Sequence, residues 1–85
     1  MSASKELVAL RNLGVRTAEW LGDIGITTRT QLAARGAVSI YRELKARGYP
    51  VTSVLLYAIE GALMDVTWTE LPAEVKQRLV SEARA

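Results

Sequence analysis

The sequence contains no cysteine, no histidine and no phenylalanine, and only two prolines in 85 residues. Without Cys or His there is no disulfide framework, no thiolate nucleophile, no imidazole base and no zinc or iron site of the usual nitrogen and sulfur type. Long apolar runs are also missing. The longest uncharged stretch, Gly48 to Ile59, is 12 residues, well short of the roughly 20 needed to span a bilayer. The opening Met1-Ser-Ala-Ser-Lys-Glu has no apolar segment of signal-peptide length. A chain this short buries only about two-thirds of its unfolded surface, which predicts a single domain over residues 1–85. The expectation from these absences is a cytoplasmic, non-enzymatic domain with no metal, no cofactor, no small-molecule substrate and no membrane contact.

Charge is present but unevenly placed. Eleven Lys and Arg stand against nine Asp and Glu, a net charge of +2, which is too small to mark a nucleic-acid protein by itself. Residues 1–49 hold eight cations (Lys5, Arg11, Arg16, Arg29, Arg35, Arg42, Lys45, Arg47) and four acids (Glu6, Glu19, Asp23, Glu43), giving +4. Residues 50–85 hold three cations (Lys76, Arg78, Arg84) and five acids (Glu60, Asp65, Glu70, Glu74, Glu82), giving −2. The front half is therefore the basic one. Eight of the cations are Arg, which suits bidentate contact with phosphate or carboxylate.

Gly and Pro divide the chain into helix-length pieces whose apolar residues recur at helical spacing. The pattern predicts an all-α, compact five- or six-helix domain. The first helix should run from Ser4, a good N-cap, to Arg11, and the second from Arg16 to Asp23 with Ala18, Leu21 and Trp20 inward. The third should start at Thr27 or Thr28, where Thr28 and Gln31 have capping-box spacing, and stop at Gly36. Val38 to Arg47 forms the fourth, with Tyr41 and Leu44 inward and Gly48 as terminator. The fifth, Val54 to Met64 behind Thr52 or Ser53, has Glu60 as its only charge and should be the buried central helix. Leu71-Pro72 opens the last, which carries Val75 and Leu79 inward and runs to Ala85.

One local arrangement is more specific. Asn12, Leu13, Gly14, Val15, Arg16, Thr17 and Ala18 occupy, in order, the seven positions of a Gly-apolar-Gly-x-x-x-Ala turn between two short helices, and so resemble a helix-hairpin-helix element. Glycine at such a turn supplies a positive φ, and the amides that open the following helix face outward with the positive end of its dipole behind them. In the helix-hairpin-helix family the ligand is a nucleic-acid phosphate, bound without base readout. By that resemblance Gly14, Val15 and Arg16 would supply amides, Arg16 and Arg11 charge, with Asn12 and Thr17 bordering the site. Asn12 replaces the first glycine; Asn tolerates left-handed φ, but its side chain hinders close approach of a phosphate. The other reading of the same residues is a hairpin that only packs.

Further segments carry a longer resemblance: Leu10-Arg-Asn-Leu-Gly14, Trp20-Leu21, Gly25-Ile26-x-Thr28, Gly36-Ala37-Val38, Tyr41-x-x-Leu44-Lys45, Leu55-Leu56-Tyr57-Ala58-x-Glu60-Gly61-Ala62-Leu63, and Trp68-x-x-Leu71-Pro72. Over about residues 10–80 these resemble the C-terminal domain of the TfoX (Sxy) family, bacterial regulators of competence for DNA uptake. The resemblance implies an all-helical domain with a helix-hairpin-helix-like element, which in longer members follows an N-terminal α/β domain. The expectation is a stand-alone copy acting as a regulatory or adaptor module. Its partner would be DNA, bound weakly and without sequence specificity, or alternatively a protein, including a second copy as a homodimer.

Single residues invite separate readings. An unpaired carboxylate in the most apolar helix is costly, so Glu60 should reach an Arg, with Arg11 and Arg16 as candidates, bond to backbone or emerge at the helix edge, rather than act as a catalytic acid. Gly61 should permit close helix packing. Trp20, Tyr41, Tyr57 and Trp68 are candidate stacking platforms, but in a Phe-free domain they are also the large side chains available for the core. Tyr49, beside Pro50, should be the most exposed aromatic. A mean hydropathy of +0.10 leaves room for an apolar docking surface.

Overall fold

The computed structural model describes residues 3–85, and among these it is helical throughout, with no strand. Six helices form: α1 (Lys5–Val8), α2 (Val15–Asp23), α3 (Arg29–Arg35), α4 (Ala37–Ala46), α5 (Ser53–Met64) and α6 (Ala73–Arg84), with a single 3-10 turn at Trp68–Glu70 before the last. Its Cα radius of gyration, 11.7 Å, is that of a close-packed chain of this length, about 12 Å.

Local chemistry explains most boundaries. Ser4 Oγ accepts from the Leu7 amide and opens α1, but the helix is a single turn where a longer one to Arg11 was expected. The Thr28 and Gln31 capping box is present in full at α3. Gly36, at φ +78°, both ends α3 and starts α4. Thr52 caps α5, and Pro72 occupies the N-cap of α6. The 3-10 turn was not foreseen.

As expected, α5 is central: it packs against α3, α4, α6 and the 3-10 turn, and buries Leu55, Leu56, Ala58, Ile59, Gly61 and Ala62. A helix apolar on most sides can only be satisfied by neighbours on most sides. Every buried side chain among the described residues is apolar. α1 adds polar ties to the fully buried Leu7. Ser4 Oγ donates to the Thr27 carbonyl at 2.6 Å, and Glu6 Oε2 accepts from the Arg29 amide at 2.7 Å, so a residue of α1 caps α3.

Two expectations about single side chains need correction. Glu60 pairs with Arg78 of α6 at 3.4 Å, not with Arg11 or Arg16, because it lies on the side of α5 that faces α6, whereas the hairpin meets α5 at Ala58 and Gly61. Tyr49 is half-buried: its ring meets Trp20 edge-on at 5.6 Å between centroids, and its hydroxyl donates to Asp23 at 2.7 Å. The positive φ of the hairpin belongs to Asn12 (+74°), whereas Gly14 is extended at φ −97°.

Candidate functional site

The hairpin is built on Asn12. Its left-handed backbone turns the chain between α1 and α2, a conformation Asn adopts at lower cost than most residues. Its side chain points inward. Nδ2 donates to the Val66 carbonyl at 2.8 Å and the Ala58 carbonyl at 3.4 Å, while Oδ1 accepts from the Trp68 amide at 3.0 Å. One amide thus ties the hairpin to α5 and to the segment before α6.

Gly61 makes the tie possible. A Cβ there would sit 2.5 Å from Asn12 Nδ2, 2.8 Å from the Val66 carbonyl oxygen and 3.3 Å from Trp68 Cα. The close approach expected at Gly61 is real, but it is made by the Asn12 side chain and the 66–68 backbone. The same corner closes α5: Asp65 adopts φ +59°, and the Val66 amide returns to the Gly61 carbonyl at 2.8 Å, a six-to-one cap. Arg29 adds a second cap by donating to the Leu63 carbonyl at 2.8 Å.

With Asn12 engaged inward, the outer surface of the hairpin is left to Gly14, Val15 and Arg16, all exposed. α2 begins there with extended Gly14 as N-cap, no side-chain cap and no acid in its first turn. The Ala18 amide is the first to find an internal acceptor, Gly14 O at 3.0 Å. The amides of Val15, Arg16 and Thr17 therefore have no acceptor within the helix, as geometry requires at a helix start. Thr17 is half-buried and borders a depression of about 260 Å³ with Trp20 and Trp68. Arg11 Nε is 3.5 Å from Asp65 Oδ1, in a pair whose acid is 86% exposed. Such a pair contributes little and opens readily.

The +4 of residues 1–49 is not gathered at this surface. Arg35 and Arg47 both grip Glu43, and Arg29 caps α5. The Arg35 guanidinium, helped by Arg47, holds the Glu43 carboxyl below the usual carboxylate range against an opposing effect of burial. Arg42 and Lys45 lie on α4, which packs with α3, α5 and α6. Arg11 and Arg16 alone stand on the hairpin. No sequence signal pointed to the Asn12 clasp, since its partners lie 46 to 56 residues away.

The family model for the TfoX C-terminal domain matches residues 3–83. This chain belongs to that family. The TfoX C-terminal domain is a regulatory type of domain, and the match covers nearly all of the sequence. The fold is similar to the crystal structure of an uncharacterized protein from Listeria monocytogenes, with a TM-score of 0.81 at 28% identity over 87% of this chain and 84% of that one. Among curated proteins no match was found. No helix of the described residues is long and apolar enough to cross a membrane.

Proposed function

We propose that residues 1–85 act as one non-enzymatic regulatory module of the TfoX C-terminal type, working in the cytoplasm through weak, sequence-independent contact with nucleic-acid phosphate at the hairpin. The observation that carries this reading is the uncapped start of α2, free of acidic residues in its first turn and flanked by exposed Arg16. Gly14, Val15 and Arg16 present amides to a phosphate, Thr17 borders it, and Arg16 and Arg11 add charge. Asn12 contributes the turn and not a ligand atom, because its amide is engaged within the fold. The competence role of the family supports a nucleic-acid partner in the same direction.

Three or four phosphate contacts give a slope of log K against log salt of about −3 and weak affinity at physiological ionic strength. Fluorescence anisotropy with labelled duplex and single-stranded DNA at low salt tests this. Arg16→Glu should weaken binding by about tenfold, and Arg11→Glu by less, since Arg11 already shares its charge with Asp65. No binding at micromolar protein, or binding indifferent to both substitutions, would sink the reading.

A further inference from the structure

Away from the hairpin, one face of α6 carries two half-buried side chains, Lys76 and Val80, and the exposed Arg84. Lys76, Val80 and Arg84 follow at four-residue intervals and so share one face. Two adjoining open depressions, of about 390 and 540 Å³, both meet Val80 and Arg84. Tyr57 and Lys76 bound the first, Tyr41 and Lys45 the second. Together they form one groove between α6, the start of α5 and the end of α4.

Its electrostatics are one-sided. No carboxylate lines either depression, and none of Lys45, Lys76 and Arg84 forms an ion pair among the described residues. Arg11, Arg35, Arg47 and Arg78 all do. Three unpaired cations therefore surround a floor to which the half-buried Val80 and Ala83 contribute apolar surface. The Lys45 ammonium stands 5.6 Å from the Tyr41 centroid, and the Lys76 ammonium 5.6 Å from those of Tyr57 and Trp68. Held against rings rather than carboxylates, these ammonium groups keep donors for an incoming acceptor.

We infer that this groove docks an acidic amphipathic segment of a protein partner, its apolar side chains on Val80 and Ala83 and its carboxylates on Lys45, Lys76 and Arg84. Charge complementarity selects an anionic occupant, and the rings select its class. Tyr57 is stacked with Trp68 at 5.9 Å and 18°, and Lys45 covers Tyr41. The aromatic faces that a single-stranded nucleic acid would need for base stacking are already engaged. Lys76 to Arg84 spans about 12 Å of helix axis, which matches two to three turns of an amphipathic helix laid in the groove. This surface is separate from the hairpin and does not depend on phosphate binding there.

The test is a titration of the protein with a fluorescein-labelled amphipathic peptide of Glu, Leu and Trp, beside the same peptide with Lys for Glu and beside oligothymidine. The acidic peptide should bind, lose affinity as salt rises, and move the amide resonances of Ser53, Tyr57, Val80 and Arg84 in the unaltered protein. The double variant Lys45→Glu, Arg84→Glu, with circular dichroism as the folding control, should weaken it by about tenfold or more, and Lys5→Gln, exposed on α1 away from the groove, should change it by less than about twofold. Absent binding, equal binding of the basic peptide, or resonance shifts confined to other surfaces would overturn the inference. Oligothymidine binding lost in the same double variant would reassign the groove to nucleic acid.

Discussion

At the hairpin, Asn12 places its amide in three hydrogen bonds within the fold and Arg11 leans on Asp65, whereas along α6 the cations Lys76 and Arg84 have no carboxylate partner among the described residues. The first region is held by long-range polar ties that fix one backbone against another. The second is held by apolar packing beneath, which leaves its charged tips without an internal task. Polar groups that are satisfied internally report on stability, and those that are not report on binding. Substitutions should separate the two regions on that basis.

The largest effects are expected at Gly61 and Asn12, the two sides of one clasp. Gly61→Ala places a methyl group against Asn12 Nδ2 and the Val66 carbonyl, and a backbone oxygen cannot move aside cheaply. Overpacking and loss of the Asn12 bonds outweigh the helix-propensity gain, for a net destabilisation of about 2 kcal/mol or more. Gly22→Ala is the matched control, because Gly22 is also helical and a Cβ there meets nothing within 4 Å. That change should stabilise by about 0.5–1 kcal/mol. Urea unfolding of both variants decides it: two Gly→Ala changes of the same sign would break the account of the clasp.

Asn12 is the other side of the clasp. Asn12→Ala removes all three bonds, leaves the Trp68 amide without its acceptor and puts Ala at φ +74°. A cost of about 2–4 kcal/mol follows. Asn12→Gly loses the same bonds but relaxes the backbone, so it should be milder by about 1 kcal/mol. It also restores the glycine of the helix-hairpin-helix pattern. If the clasp is the whole role of Asn12, Asn12→Gly lowers the unfolding midpoint while anion affinity at α2 holds. A fall in phosphate or DNA affinity at unchanged stability would instead make Asn12 a ligand.

The same contrast separates what could be read from the sequence and what could not. The Thr28–Gln31 box, the Thr52 cap, the stop at Gly36 and the buried α5 were legible, because capping and helical periodicity are decided within a few residues. Left-handed φ at Asn12 was legible from the turn pattern, in which it stands at the first glycine position. The partners of Asn12, Glu60 and Tyr49 were not legible. Each is chosen by which helices pack together, and spacing along the chain says nothing about whether Arg11 or Arg78 reaches Glu60. The groove was hidden for the same reason. Lys76 and Arg84 share a face by spacing, but Lys45, Tyr41 and Tyr57 join them only when α4 and α5 meet α6. The basic front half was the misleading signal, since its cations are spread over α1, the hairpin, α3 and α4.

The smallest expected effects are pH-dependent and sharpen the comparison within one helix. On α4, Glu43 is gripped by Arg35 and Arg47, whereas Lys45, two residues on, has no carboxylate partner. Because the folded Glu43 carboxyl titrates below its ordinary range, its pairing contributes fully above that range and is lost as pH falls through the lowered folded value. Tyr49 works at the other limit. Asp23 accepts its hydroxyl proton, and that bond, with burial and the negative charge of Asp23, raises the phenol. Its contribution is complete below the ordinary phenol range and is lost as pH rises through the raised folded value. Glu43→Gln should therefore flatten the acid limb of the unfolding midpoint against pH, and Tyr49→Phe the alkaline limb. Lys45→Gln removes a charge that nothing in the fold opposes, so it should shift stability by no more than about 0.5 kcal/mol and leave both limbs in place. A marked change in either limb for Lys45→Gln would mean that the groove cations are bound up in the fold after all.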